Sequence, residues 1–215
     1  MRIDINQTAD ILRTKNNILI VAHESPDGDA AGSAYGLGRA LASMGKNVRV
    51  ALDSLPKNMM FMADGFSDED FYPDFTVAVD TADNKILGVE NAGITKNDPI
   101  DLCIDHHFSN VFFAEDTCLD DSAAAASEII FDLLRIMGAE ITKTVAECLY
   151  VGIATDTGCF RFSNTTAKTL RTAAELIDLG ADSAELNRLH FETKSKSYAA
   201  LEQMAISSMK SYLSG

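Results

Sequence analysis

The residues of this chain that can do acid–base or metal chemistry fall into four short runs. The first is HESPDGDA, residues 23–30, which sets His23, Asp27 and Asp29 around Pro26 and Gly28. Proline and glycine force a tight loop there, so two carboxylates point into one small space. Carboxylates that close repel unless a cation or a proton lies between them. Oxygen-rich donors with one imidazole suit manganese or magnesium better than zinc held by thiolates. A plainer reading is a polar loop at a strand end, with Asp29 capping the next helix. The second run, VDTAD, holds Asp80 and Asp83, although a lone aspartate at a strand end is more often a turn or cap residue. The third is Asp105-His106-His107. Adjacent side chains on an extended strand face opposite ways, so one histidine can ligate a cation while the other contacts phosphate or gives up a proton. The chain has four histidines and three lie in these runs, which argues against chance placement. The fourth run is GIATDTGCFRFSNTT, residues 152–166. Asp156 ends an apolar helical stretch, and Arg161, Ser163, Asn164 and Thr165 supply donors suited to phosphate. Arg161 taken alone is equally a solvated loop charge. His190 has no evident partner and receives no role.

Something must bring residues this far apart in sequence together. After a helix at about residues 4–15, the β-branched run in Asn17–Ala22 reads as a buried central strand. A helix over about 30–44 follows, closed by Gly45, and then strands at Val48–Leu52, Phe75–Val79 and Leu102–Ile104. Residues 59–74 are turn-rich and unassigned. Helices are expected at 122–137, 142–154 and 166–179, with Gly138 and Gly180 as stops, and at about 195–213. Strands alternating with helices imply an α/β fold, a mostly parallel β-sheet flanked by helices. Three of these strands run into the first three polar clusters at their carboxyl ends, the edge where open α/β sheets bind ligands.

The totals narrow the partners. The chain has 215 residues and a formal net charge of −14. An acidic surface repels a long phosphate backbone, so duplex nucleic acid is a poor partner, while a short phosphorylated substrate neutralised by a local cation is not excluded. Four cysteines without a CxxC pair read as reduced thiols rather than a zinc ribbon or disulfide framework. With neither a membrane-length apolar run nor a leader, the expected location is cytoplasmic, without membrane attachment.

Taken in order, HESPDGDA, VDTAD, DHH and TDTG resemble the four motifs of the DHH phosphoesterase superfamily. Its members include RecJ-type exonucleases, nano-RNases that also dephosphorylate 3′-phosphoadenosine 5′-phosphate, cyclic-dinucleotide phosphodiesterases and family II pyrophosphatases. The likeness spans residues 18 to about 166, and GCFRFSNTT is most similar to the nano-RNase branch. The resemblance implies a DHH domain over residues 1–190 holding two divalent cations, manganese first, with magnesium or cobalt as substitutes. His23, Asp27 and Asp80 would hold one cation, and Asp29, Asp80, His106 and Asp156 the other, with Asp80 bridging. His107 would contact phosphate or protonate the leaving oxygen, and Asp105 would orient a histidine. It implies hydrolysis of short oligonucleotides, dinucleotides or small nucleotides by activated water, with no covalent enzyme intermediate. Relatives carry a second, substrate-gripping domain, so residues 191–215 are expected to be a linker helix of an excised domain. Its stripe of Leu201, Met204, Ala205 and Met209 must bury against its own domain, the second domain or another copy, as in a homodimer.

Competing readings are a family II-like pyrophosphatase and a catalytically silent domain that binds metal or nucleotide. A dinucleotide-binding unit is also suggested by Gly28, Gly32, Gly36 and Gly38 followed by Asp53. Against it, G-x-G-x-x-G does not occur in register, and Asp27 and Asp29 would face a pyrophosphate without neutralisation. No GxxxxGK is present, which removes a P-loop NTPase.

Overall fold

The computed structural model describes residues 1–66 and 71–210. Six strands, β1 (Arg2–Ile3), β2 (Asn17–Val21), β3 (Asn47–Ala51), β4 (Phe75–Val79), β5 (Leu102–Asp105) and β6 (Asp116–Leu119), form one sheet in the order β1-β6-β5-β4-β2-β3. Every pairing is parallel. In the centre, Ile20 of β2 faces Val50 on one side and Val77 on the other, and Ile18 to Val21 are fully buried. Burial on both faces explains the continuous apolar run.

Side chains alternate between two cores. Ile18, Ile20, Val77, Val79 and Ile104 join the larger one, against α1 (Ile5–Thr14), α2 (Gly28–Ser43), α3 (Ala126–Met137) and α4 (Lys143–Asp156). Leu19, Val21, Ala78 and Cys103 join a smaller one, closed by Leu87, Ala92, Ile100 and Ala114 from the loops. From β2 the chain crosses through α2 to β3 on one side, then returns to lay β4 on the other. The order therefore reverses between β2 and β4, and the crevice at their carboxyl ends is where such sheets place ligands.

The expected helices and central strands are present, with shifted ends. The helix placed at 122 begins at Ala126, because Asp120 and Ser122 form a turn, with Ser122 N donating to Asp120 Oδ1 at 3.1 Å. The helix placed at 142–154 runs on to Asp156. α5 (Ala167–Asp178) stops before Gly180. Sequence reading missed the short strands β1, at the sheet edge, and β6 beside it. It also missed the 3₁₀ turns Lys57–Met62 and Asn84–Ile86, α6 (Ser183–Asn187) and the π-helical turn Arg188–Glu192. The last helix, α7, covers Lys196–Ser207, and residues 211–213 of the expected span lie outside the described residues. α7 has no buried residue, and Leu201, Met204 and Met209 are exposed, so the stripe does not pack on its own domain. All four cysteines are free, and no described helix is long and apolar enough to cross a membrane.

Candidate metal centre

The loop after β2 carries His23 and Asp27. Asp27 caps α2, its Oδ1 accepting the Asp29 and Ala30 N–H groups at 3.0 and 3.1 Å. The cap expected at Asp29 is thus supplied by Asp27, since the helix begins two residues earlier, at Gly28. Asp29 instead points across to α3, which starts after Ala125 with no side-chain cap of its own. Its Oδ2 accepts from Ala126 N at 2.6 Å and its Oδ1 from Ser127 N at 2.9 Å. One fully buried carboxylate therefore sits at the positive end of a neighbouring helix.

Asp80 follows β4, its N–H continuing the sheet to Ile104 O at 3.0 Å. Its φ of 49° is left-handed, a conformation that aspartate tolerates better than most residues. The turn aims its carboxylate into the crevice, 3.8 Å from His23 Nε2, 3.5 Å from His106 Nε2 and 3.6 Å from His107 Nδ1. Both histidines of the pair thus reach Asp80, contrary to the expectation that they face opposite ways. β5 ends at Asp105, so strand alternation no longer governs them, and their rings lie in contact with centroids 4.4 Å apart. His106 Nε2 also lies 3.3 Å from Asp156 and 3.9 Å from Asp29.

Among the described residues, three groups of side chains bring ligand atoms within 4.8 Å of one another: His23, Asp27 and Asp80; Asp29, His106 and Asp156; and Asp80, His106 and His107. Asp83 stands apart, capping the Asn84–Ile86 turn through Lys85 N at 2.9 Å. The donors fit a divalent cation on three counts. Asp80 Oδ1 and His106 Nε2 are buried 3.5 Å apart without a well-formed hydrogen bond, an arrangement that a cation between them would satisfy. His106 Nδ1 lies 3.3 Å from the Ala123 carbonyl, an arrangement that leaves Nε2 free as a ligand atom. The donors are oxygen and imidazole without thiolate, the set that suits manganese or magnesium.

The electrostatics say the same. Burial opposes a charge on His106, yet Asp80, Asp29 and Asp156 together push its pKa up to about 10. Burial first, then repulsion from Asp80, raises Asp156 to about 6. Asp29 is raised by burial and by Asp80 and Asp156. His23 is raised chiefly by the Asp27 carboxylate, 3.9 Å from its Nε2.

His107 Nδ1 lies 2.8 Å from Asp105 Oδ1, and that hydrogen bond raises the imidazole pKa against the effect of burial. Burial of Asp105 is outweighed by bonds from His107 and Asn110, which lower its pKa. Asp105 is an acceptor, so His107 Nδ1 carries the hydrogen. Asn110, which sequence reading missed, donates to Asp105 Oδ2 at 2.7 Å and accepts from Phe112 N at 2.7 Å. A polar residue three positions after His107, in a run that is otherwise exposed, was the available signal. In the fourth run Asn164 Nδ2 donates to the Ala124 and Asp156 carbonyls at 3.2 and 3.1 Å, so its amide ties the loop to the centre. Arg161 and Ser163 are exposed on that loop.

A parallel α/β sheet with carboxylates and imidazoles gathered at its switch point defines the class: an α/β protein with a candidate metal centre at the strand ends. Residues 17–153 match the DHH family, N-terminal domain, and the chain belongs to that family. A Thermus thermophilus protein described as bifunctional oligoribonuclease and PAP phosphatase NrnA is 38% identical over 215 residues, covering 96% of this chain and 64% of its own length. The Bacillus subtilis protein of the same description is 30% identical over 189 residues, 83% of this chain and 58% of its own. The chain thus spans less than two thirds of either relative. Among solved structures, an exopolyphosphatase-related protein from Bacteroides fragilis matches with a TM-score of 0.84 at 29% identity, over 97% of this chain and 66% of that one.

Proposed function

We propose that this chain hydrolyses phosphoester bonds of short oligonucleotides or small nucleotides, among them 3′-phosphoadenosine 5′-phosphate. The single observation that carries the reading is that two ligand groups, His23 with Asp27 and His106 with His107, share Asp80, while His106 also joins Asp29 and Asp156. The descriptions of the NrnA relatives support the choice of substrate. His23, Asp27 and Asp80 would hold one divalent cation, and Asp29, Asp80, His106 and Asp156 a second, manganese being the preferred ion. Bound there, the cations supply Lewis acidity, neutralising phosphoryl oxygens and lowering the pKa of water.

The chain's own residues do the rest. Asp105 fixes the His107 ring through Nδ1 and raises its pKa, so that Nε2–H can donate a proton to the leaving oxygen. Water adds to phosphorus as the ester oxygen departs, so no side chain becomes covalently bound. Arg161 and Ser163 provide donors for a flanking phosphate.

The test is hydrolysis of bis-p-nitrophenyl phosphate with manganese, comparing the chain with Asp80→Ala. Turnover that needs metal and vanishes in the variant is expected. Failure of the chain to bind manganese would overturn the reading. Turnover of inorganic pyrophosphate faster than of adenosine 3′,5′-bisphosphate would overturn its nucleotide part.

A further inference from the structure

A large apolar ring stands in solvent on the loop that Asn164 ties to the Asp156 carbonyl. Phe162 is 58% exposed, and it lies on the turn that leaves Asp156. The fold forgoes the stabilisation that fully burying this side chain would bring. The turn itself is firmly held. Cys159 N donates to Ala154 O at 2.6 Å, and Arg161 N and Phe162 N both donate to Thr157 O, at 2.9 and 3.0 Å. Arg161 Nε returns to Gly158 O at 2.6 Å, and Asn164 ties the far end to Asp156 O. Cys159 and Phe160 sit at φ 58° and 62°, a left-handed backbone that costs energy and persists only when its surroundings enforce it.

The ring is seated as well as exposed. Its far edge (Cζ, Cε1 and Cε2) rests against Gly158, where any Cβ would overlap it and where φ is +56°. Only glycine satisfies both conditions. Phe108, next to His107, is 89% exposed, so little of the protein contacts its ring. A ring already fixed loses less freedom on binding.

We propose that Phe162 is the stacking platform for the nucleobase of the nucleotide whose phosphate reaches the centre. The proposal rests on the nucleotide reading above and deepens it, because it makes the substrate single-stranded and base-bearing. The charge of the chain favours stacking as a source of affinity. At −14 the protein cannot rely on a long basic groove, whereas an aromatic face attracts any base without regard to charge. A duplex, its bases already stacked on one another, offers no free face to the ring.

The chain contains no tryptophan, so Phe162→Trp installs one fluorophore at the proposed contact. Titrated in magnesium with adenosine 3′,5′-bisphosphate, its emission should be quenched; ribose 3,5-bisphosphate, which lacks the base, should leave it unchanged. In kinetics, Phe162→Leu should raise KM for the adenosine compound about tenfold, within the range of base–aromatic stacking, and leave KM for the ribose compound unaltered. Phe162→Tyr should behave as the parent. Equal effects of Phe162→Leu on both compounds, or quenching that does not depend on the base, would overturn the stacking proposal while leaving phosphoester hydrolysis intact. Base-dependent quenching in a chain that hydrolyses neither compound would sustain the platform and overturn the hydrolytic reading instead.

Discussion

At the scale of single residues, Asp80 is the hub, since three imidazole nitrogens approach it within 3.8 Å. In a chain stripped of metal by a chelator, protons must balance the charge that cations would otherwise balance. His106 titrates near 10 and Asp156 near 6, both above their ordinary values of 6.5 and 3.8. Groups that bind protons more tightly in the fold contribute stability at low pH, and that contribution is lost as pH rises through the folded pKa. The loss from Asp156 therefore falls between about pH 4 and 6, and that from His106 between about 6.5 and 10. Asp27 and Asp105, held low by His23 and by His107 with Asn110, act oppositely and lose their contribution as pH falls. A cation must displace the protons on His106 and Asp156, so the rise in Tm on adding manganese should be larger at about pH 8 than at about pH 5.5. Calorimetry with and without chelator measures it, and an increment independent of pH would contradict the assignment of these groups as ligands. Asn110 acts one contact further out. Asn110→Ala should lower kcat by about 10–100-fold with KM little changed, because Asp105 would no longer be fixed behind His107. Lost stability with kcat intact would show that Asn110 serves only the fold.

At the scale of elements, the centre depends on how closely α2, α3 and α4 approach. Asp29 in the first turn of α2 caps α3, and Gly152 of α4 lies against both, since a Cβ there would overlap Ser127 Oγ and come within 2.7 Å of Asp29 Oδ1. Gly152→Ala should destabilise the fold by about 1–3 kcal/mol through overpacking and also weaken manganese binding, because Asp29 must move. Leu133→Ala, in the buried face of α3, should cost about 2–5 kcal/mol while leaving manganese affinity unchanged. Denaturant titration paired with metal titration separates the two, and equal metal affinity in both variants would refute the coupling. The same elements show what was legible in the sequence. The central strands and long helices could be read because β-branched runs and helical spacing survive burial. β1 and β6 could not, being short strands at one side of the sheet, β1 on its edge and β6 next to it, whose residues Arg2, Asp116 and Thr117 carry no apolar signature. The candidate ligands were legible as types and spacing, and the structure brings them to one crevice. Their directions were not legible. That Asp27 rather than Asp29 caps α2, and that both His106 and His107 turn toward Asp80, depend on where α2 begins and β5 ends, to a precision of one residue. Asn110 and Phe162 were missed for a related reason. Each acts through a turn whose shape is set by hydrogen bonds to distant backbone, to Thr81 O for Asn110 and to Ala124 O for the loop of Phe162.

At the scale of the whole molecule, the acidic surface and the proposed substrate are in tension. The chain carries −14 formal charges, and a pair of divalent cations would leave it strongly negative. An approaching oligonucleotide is repelled over distances longer than the crevice and attracted only within it. Salt screens the first interaction far more than the second, because the Debye length shrinks from about 30 Å at 0.01 M to about 10 Å at 0.1 M, while contacts inside the crevice are a few ångströms long. KM for a short oligonucleotide should therefore fall as salt is raised over that range with manganese saturating. The fall should be steeper for a pentanucleotide than for a dinucleotide, since the longer chain brings more charge to the repelling surface. This is opposite in sign to proteins that bind nucleic acid through basic grooves, which lose affinity with salt as counterions are released. Initial rates at several ionic strengths decide the matter. A KM that rises with salt would mean that a local positive track, for which Arg161 is the available starting point, outweighs the net charge, and that affinity is built on phosphate contacts rather than on the base.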